Sequence, residues 1–157
     1  MLSIRAEGKD GMVKDSAVPL VVHGSVVALA GRGILILGAS GSGKSALALA
    51  LTGRGAGLVA DDRVAIVRRG GALVACAPPA TAGLVEARGI GILSLPAAPE
   101  AVLTLAVDLD RAPSARMPQG DTIAYLGVRI ELISGRGVPN LDRALTIIVQ
   151  NGRAFPD

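Results

Sequence analysis

Gly38, Gly43, Lys44 and Ser45 stand at the spacing G-x-x-x-x-G-K-[ST] within "ILILGASGSGKSALALAL", residues 34–51. An apolar strand runs into the glycine-rich turn, and an alanine- and leucine-rich helix runs out of it. In that context the backbone N–H groups of Gly38, Ala39, Ser40, Gly41, Ser42 and Gly43 line a concave nest, and the helix N-terminus adds positive potential. Lys44 is then placed to reach the β- and γ-phosphates of a nucleotide, and the Ser45 hydroxyl to ligate Mg²⁺. A dinucleotide fingerprint on Gly41 and Gly43 fits less well, because Ala46 stands where its last glycine belongs.

A second group of candidates surrounds this loop. "GLVADDRV" carries Asp61 and Asp62 at the end of a short apolar strand, soon after the loop lysine. An acid in that place suits a carboxylate behind the metal. Two adjacent aspartates in an extended backbone diverge, so one can face a metal and the other an incoming nucleophile, as its base. The competing account is a solvated turn with Arg63 as ion-pair partner. His23 is the sole histidine, at the mouth of a strand that should pair near the loop. By itself a lone histidine fits a structural role better than a catalytic one. Glu86 and Arg88 lie in "VEARGIGIL", where glycines let the backbone approach a ligand and a guanidinium can meet phosphate bidentately. A surface ion pair is the alternative for these two.

The elements that must hold these residues follow from composition. At 157 residues the chain fits one domain. Half of it is apolar but it has one Tyr and one Phe, so the core must be built from Val, Ile, Leu and Ala, which favours strands and few helices. No apolar stretch approaches the roughly 18 residues of a membrane span, and "MLSIRAEGKDGMVKD" lacks the apolar core of a secretory signal. A cytoplasmic protein without membrane contact is expected. Cys76 stands alone, which excludes an internal disulfide and a cysteine zinc site, and its apolar flanks mark it as a packed residue. A net charge of +3 with dispersed cations and few aromatics gives nucleic-acid binding little support.

Residues 1–16 read as a flexible lead-in, 17–151 as one domain and 152–157 as a tail. Val26–Ala30 and Ile34–Leu37 form a predicted hairpin, so the strand entering the loop has an antiparallel neighbour. The helix runs from Lys44 to about Arg54, and a second hairpin turns through Arg69, Gly70 and Gly71. The glycines of "GLVEARGIGILSLP" argue for an irregular segment rather than a strand. Ala101–Leu109 is a buried strand, "RAPSARMPQGD" a loop, and Val128, Ile130 and Leu132 mark a half-exposed strand. Leu145–Val149 reads as a last buried strand. The fold class is α/β with a mixed sheet, because hairpins flank the phosphate loop.

Taken together, "VHGSVVALAGRGILILGASGSGKS", "GLVADDRV", "CAPP" and "EARGIGIL" resemble, in order and interval, the catalytic domain of the HPr kinase/phosphorylase family. The resemblance runs from about Pro19 to Leu93 and more weakly to Asn151. It implies an ATP- and Mg²⁺-dependent kinase that phosphorylates a serine of HPr, the small phosphocarrier of the sugar phosphotransferase system. It also implies a P-loop nucleotide core similar to that of phosphoenolpyruvate carboxykinase. His23 would be the family's active-site histidine and Gly38–Ser45 its ATP loop. Asp62 would be the general base, Asp61 a metal or orientation partner, and Glu86 a magnesium ligand. Arg116, in "ARMP", matches an arginine linked to dephosphorylation. Bifunctional members carry an additional N-terminal domain, a C-terminal helical extension and a glycine- and arginine-rich loop that "GVPNLDRALTIIVQN" echoes only loosely. Short forms similar to this chain are those of α-proteobacteria. The expectation is an HPr-type kinase with weak or absent phosphorylase activity, assembled as a homo-oligomer, a hexamer by resemblance. Two other classes stay open: a P-loop kinase for a small metabolite, and a non-catalytic regulator that binds ATP.

Overall fold

The computed structural model describes residues 18–78 and 82–154. In chain order its elements are β1 (Leu20–His23), β2 (Ser25–Leu29), β3 (Arg32–Leu37), α1 (Lys44–Thr52), β4 (Gly57–Ala60), β5 (Arg63–Arg69), β6 (Ala72–Cys76), β7 (Leu84–Ala87), β8 (Gly91–Ser94), β9 (Glu100–Asp108), β10 (Thr122–Tyr125), β11 (Val128–Ser134) and α2 (Leu141–Asn151). The lead-in expected over residues 1–16, and residues 155–157 of the tail, lie outside the described residues.

Apolar runs without alternation make strands that must be covered on both faces, and β3 is the clearest case. Ile34 and Ile36 face one way with Val27, Leu29, Leu105 and Val107, under Leu47, Ala48 and Leu51 of α1 and Leu145 and Val149 of α2. Leu35 faces the other way with Val26 and Ala106, against Val64 and Ile66 of β5 and Leu73 of β6. The sheet runs β1-β5-β6-β9-β3-β2-β4, with β11 beside β9 and β10 beside β11. The end of β9 is parallel to both β3 and β11, while β6 pairs antiparallel with its beginning. The mixed sheet expected from the hairpins is present: β2–β3 turns at Ala30–Gly31, with φ of 51° and 76°, and β5–β6 at Gly70–Gly71.

Two segments correct the sequence reading, and two strands were not foreseen. Leu145–Val149 is not a strand; it is the middle of α2. The β-branched run "TIIV" suggests a strand over five residues, but over nine residues Leu141, Leu145 and Val149 recur every four, and that stripe packs on the sheet. "LVEA" and "GILS" are not irregular: β7 and β8 form an antiparallel pair of their own, turning through Arg88–Ile90. Its one buried face is the side with Val85. The unforeseen strands are β1 and β10, each too short to show a period and defined by pairing to β5 and β11 respectively.

The two helices are tied by one ion pair, Arg54 Nε donating to Asp142 Oδ2 at 2.8 Å. Arg54 holds the Asp142 carboxyl below the usual carboxylate range. A depressed native pKa stabilises above the unfolded value and loses that contribution as pH falls through the native one. Asp142→Asn is therefore expected to lower Tm by about 1–3 °C at pH 7, with the difference from wild type closing below pH 4 in thermal melts followed by circular dichroism.

Candidate functional site

The glycine-rich loop leaves β3 and enters α1 with three glycines at positive φ: Gly38 at 151°, Gly41 at 84° and Gly43 at 105°. Gly43 is the N-cap of α1, with no capping side chain and no acid in the first turn of the helix. The first amides of α1 therefore have no intrahelical partner, and no side chain of the helix covers them, which is the condition for holding an anion. Lys44 is 7% exposed, and its ammonium donates to the carbonyls of Gly38 and Ala39 at 2.8 and 3.0 Å. Neither oxygen neutralises its charge. The Ser42 hydroxyl is buried and has no hydrogen-bond partner among the described residues. Open amides at the start of α1 beside a buried cation that no carboxylate neutralises fit a polyphosphate.

Behind the loop lies the acid pair, between the end of β4 and the start of β5. The two carboxylates diverge as expected, but the backbone is not extended there: Asp62 sits at φ 72°, and Arg63 N donates to Asp61 O at 2.8 Å. The left-handed residue turns the chain from the half of the sheet holding β2 to the half holding β1. Asp61 accepts from Ser45 Oγ at 2.9 and 3.1 Å and from Ser25 Oγ at 2.7 Å. The Asp62 side chain is 71% exposed and lies 2.9 Å from His23 Nε2. An ionised carboxylate only accepts, so the ring donates from Nε2. Gly24 N donates to Asp62 O at 3.1 Å, and a Cβ at Gly24 would lie 2.8 Å from the Ile36 carbonyl, so only glycine lets β2 start this close to β3.

A cleft of about 550 Å³ opens here, lined by Ser40, Gly41, Gly43, Lys44 and Ser45, by His23 and Asp62 and, from the β7–β8 hairpin, by Glu86, Arg88 and Ile90; Asp61 lies behind Ser45. Among the described residues no three His, Cys, Asp or Glu side chains converge as a metal cage. A cation here would take Ser45, Asp61 and Glu86 as its protein ligands and oxygens of the phosphates as the rest, the usual arrangement for Mg²⁺. Arg116 is not part of this cleft. Its loop, residues 110–121, covers a separate, mainly apolar cleft of about 260 Å³ against β11 and α2. The match of Arg116 to a residue of the reacting centre is not supported by its place in the fold.

Residues 15–98, more than half of the chain, match the model of the HPr Serine kinase C-terminal domain. The chain belongs to that family. Among its relatives, the HPr kinase/phosphorylase of Clostridium tetani is 49% identical over 75 residues, 48% of this chain and 25% of that protein. The HPr kinase/phosphorylase of Cupriavidus necator is 46% identical over 81 residues, 51% of this chain and 25% of that protein. The matched segment thus spans a quarter of the length of these curated relatives. Among solved structures, the HPr(Ser) kinase/phosphatase from Coxiella burnetii superposes with a TM-score of 0.74 at 26% identity, covering 84% of this chain and 95% of that one. Within this HPr kinase domain every candidate residue of the cleft falls inside the matched segment, and Arg116 falls beyond it.

Two residues of the site were not foreseen. Ser25 is the one hydroxyl in "SVVAL", and a polar residue inside a buried apolar run was its signal. Asp110 follows β9 and accepts from Ala39 N at 2.8 Å, anchoring the loop's first amides. Seventy-one positions separate the two, and only the parallel register of β3 on β9 brings them together. A Cβ at Gly38 would stand 2.3 Å from Ser42 Oγ. Gly38→Ala, straining the loop by about 1–3 kcal/mol, should weaken a fluorescent ADP analogue roughly tenfold or more in titration while the far-ultraviolet dichroism stays unchanged.

Proposed function

We propose that the chain is an ATP- and Mg²⁺-dependent serine kinase acting on an HPr-type phosphocarrier protein, with residues 17–151 as its P-loop unit. The observation that carries the reading is the opposition of two halves across one cleft. On one side are the Gly38–Ser45 loop and the buried Lys44 cation; on the other is the exposed Asp62 carboxylate, oriented by His23. A nucleotide-binding regulator has no use for an oriented, solvent-facing base, and an exposed base suits a serine carried in by another protein.

The loop amides and Lys44 hold the β- and γ-phosphates, with Ser40 to Ser45 enclosing them and Arg88 at the rim. Ser45, Asp61 and Glu86 would hold Mg²⁺, which when bound would supply charge neutralisation on those phosphates. In the transfer, the bond from the γ-phosphorus to its bridging oxygen breaks, a bond to the serine Oγ forms, and ADP leaves. The serine proton goes to Asp62. In a loose transition state that proton moves late, so positioning outweighs basicity. Phosphorylase activity is proposed to be weak or absent, because Arg116 belongs to the other cleft. Family resemblance adds a cytoplasmic location and a homo-oligomer, a hexamer. No helix among the described residues is long and apolar enough to cross a membrane.

The test is to incubate the protein with Mg²⁺, γ-labelled ATP and an HPr-type phosphocarrier, then map acid-stable label by mass spectrometry. Label on a single serine is expected. Asp62→Asn should reduce transfer at least about a hundredfold with nucleotide affinity retained, whereas Lys44→Ala should weaken both. Tight ATP binding with no label on the phosphocarrier would sink the kinase reading, and efficient phosphate-dependent release of phosphate from the phosphoserine would overturn the weak phosphorylase assignment.

A further inference from the structure

Ser25 is fully buried, at 0% exposure, and its hydroxyl donates to Asp61 Oδ1 at 2.7 Å. It opens β2, where its backbone is fixed by pairing with Ile36 of β3. Its neighbours complete a clamp: Gly24 N–H binds the Asp62 carbonyl and His23 the Asp62 carboxylate. The loop side of Asp61 is taken by Ser45 Oγ, which approaches both carboxylate oxygens. A hydroxyl that gives its proton to Asp61 turns its lone pairs outward, which is what a cation ligand must do.

We propose that Ser25 is a positioning residue for the cation site of this domain. It fixes the Asp61 rotamer, Asp61 in turn fixes the direction of the Ser45 hydroxyl, and the ligand set is preformed before any metal arrives. A partner that orients a ligand from behind commonly governs metal affinity by 10- to 100-fold. The loop amides and Lys44 do not depend on Ser25, so its effect is confined to the metal. The inference rests on the ATP- and Mg²⁺-binding part of the proposed function and not on the identity of the phosphoryl acceptor.

The experiment uses the whole chain and a fluorescent ADP analogue, titrated first without divalent metal and then with Mg²⁺ at fixed analogue. For Ser25→Ala the Mg²⁺ midpoint should rise roughly tenfold, while the metal-free analogue affinity stays at the wild-type value. Ser25→Cys, a weaker donor of similar shape, should fall between the two. An unchanged Mg²⁺ midpoint overturns the proposal. So does an equal loss with and without metal, which is the mark of a merely structural serine. If Ser25→Ala does not fold, the midpoint of Ser25→Cys decides in the same way. Wild-type protein that shows the Mg²⁺ midpoint but transfers no phosphate would refute the kinase reading and leave this inference standing. Wild-type protein whose analogue binding ignores Mg²⁺ would overturn it.

Discussion

The Asp61–Asp62 turn is the constraint on which the rest of the site depends. Five hydrogen-bonding groups from three other places in the chain meet there: the His23 ring, the Gly24 amide and the Ser25 hydroxyl at the β1–β2 junction, the Ser45 hydroxyl on α1, and the Arg63 amide behind. The left-handed conformation at Asp62 carries a cost that aspartate tolerates better than most residues, and these bonds offset it. The turn also joins the two halves of the sheet, because β4 pairs with β2 whereas β5 pairs with β1. Chemistry and topology therefore share one hinge of the fold. A change that relaxed the turn would misplace the Asp62 carboxylate and loosen the register of two strands together.

The location of the cleft follows from strand direction. β3, β9 and β11 are parallel where they adjoin, so their carboxyl ends emerge on one edge and feed the glycine-rich loop, Asp108–Asp110 and Gly135 into the same region. Ligands in open α/β sheets bind at such edges because the connections diverge there and leave a crevice. The hydrogen bonds from Leu109 N to Leu37 O and from Gly135 N to Asp108 O extend the sheet past its last paired residues. A rigid base beneath the open first amides of α1 suits binding of polyphosphate, since little ordering is left to be done on binding.

Local features were legible in the sequence, and features that depend on distant pairing were not. The loop, α1, both hairpins and β9 are each written within about ten neighbouring residues, by glycine at turns and by apolar runs. The charged candidates were also legible because their types are rare here: one histidine, one adjacent acid pair. Ser25 and Asp110 act through contacts 36 and 71 positions away, and nothing local marks the partner. α2 failed for a different reason, a window too short to separate a period of four from a β-branched run. Arg116 was matched by resemblance alone, and its loop lines a second cleft against β11 and α2 rather than the one at the glycine-rich loop.

The two aspartates also show how adjacent acids of identical chemistry come to stand in different surroundings, as their proposed roles require. Asp61 is partly buried and has its oxygens engaged by the hydroxyls of Ser25 and Ser45. Asp62 has one engaged oxygen, and most of its side chain faces solvent. A base for a serine on a separate, folded protein cannot lie deep, because the whole partner must come within hydrogen-bond reach of it. A metal partner gains from the opposite setting, where water is excluded and the carboxylate interaction is less screened. The one-residue offset, with the left-handed step at Asp62, places both conditions within a single turn. His23 compensates for what exposure removes: an exposed carboxylate rotates freely, and the ring bond holds it toward the loop.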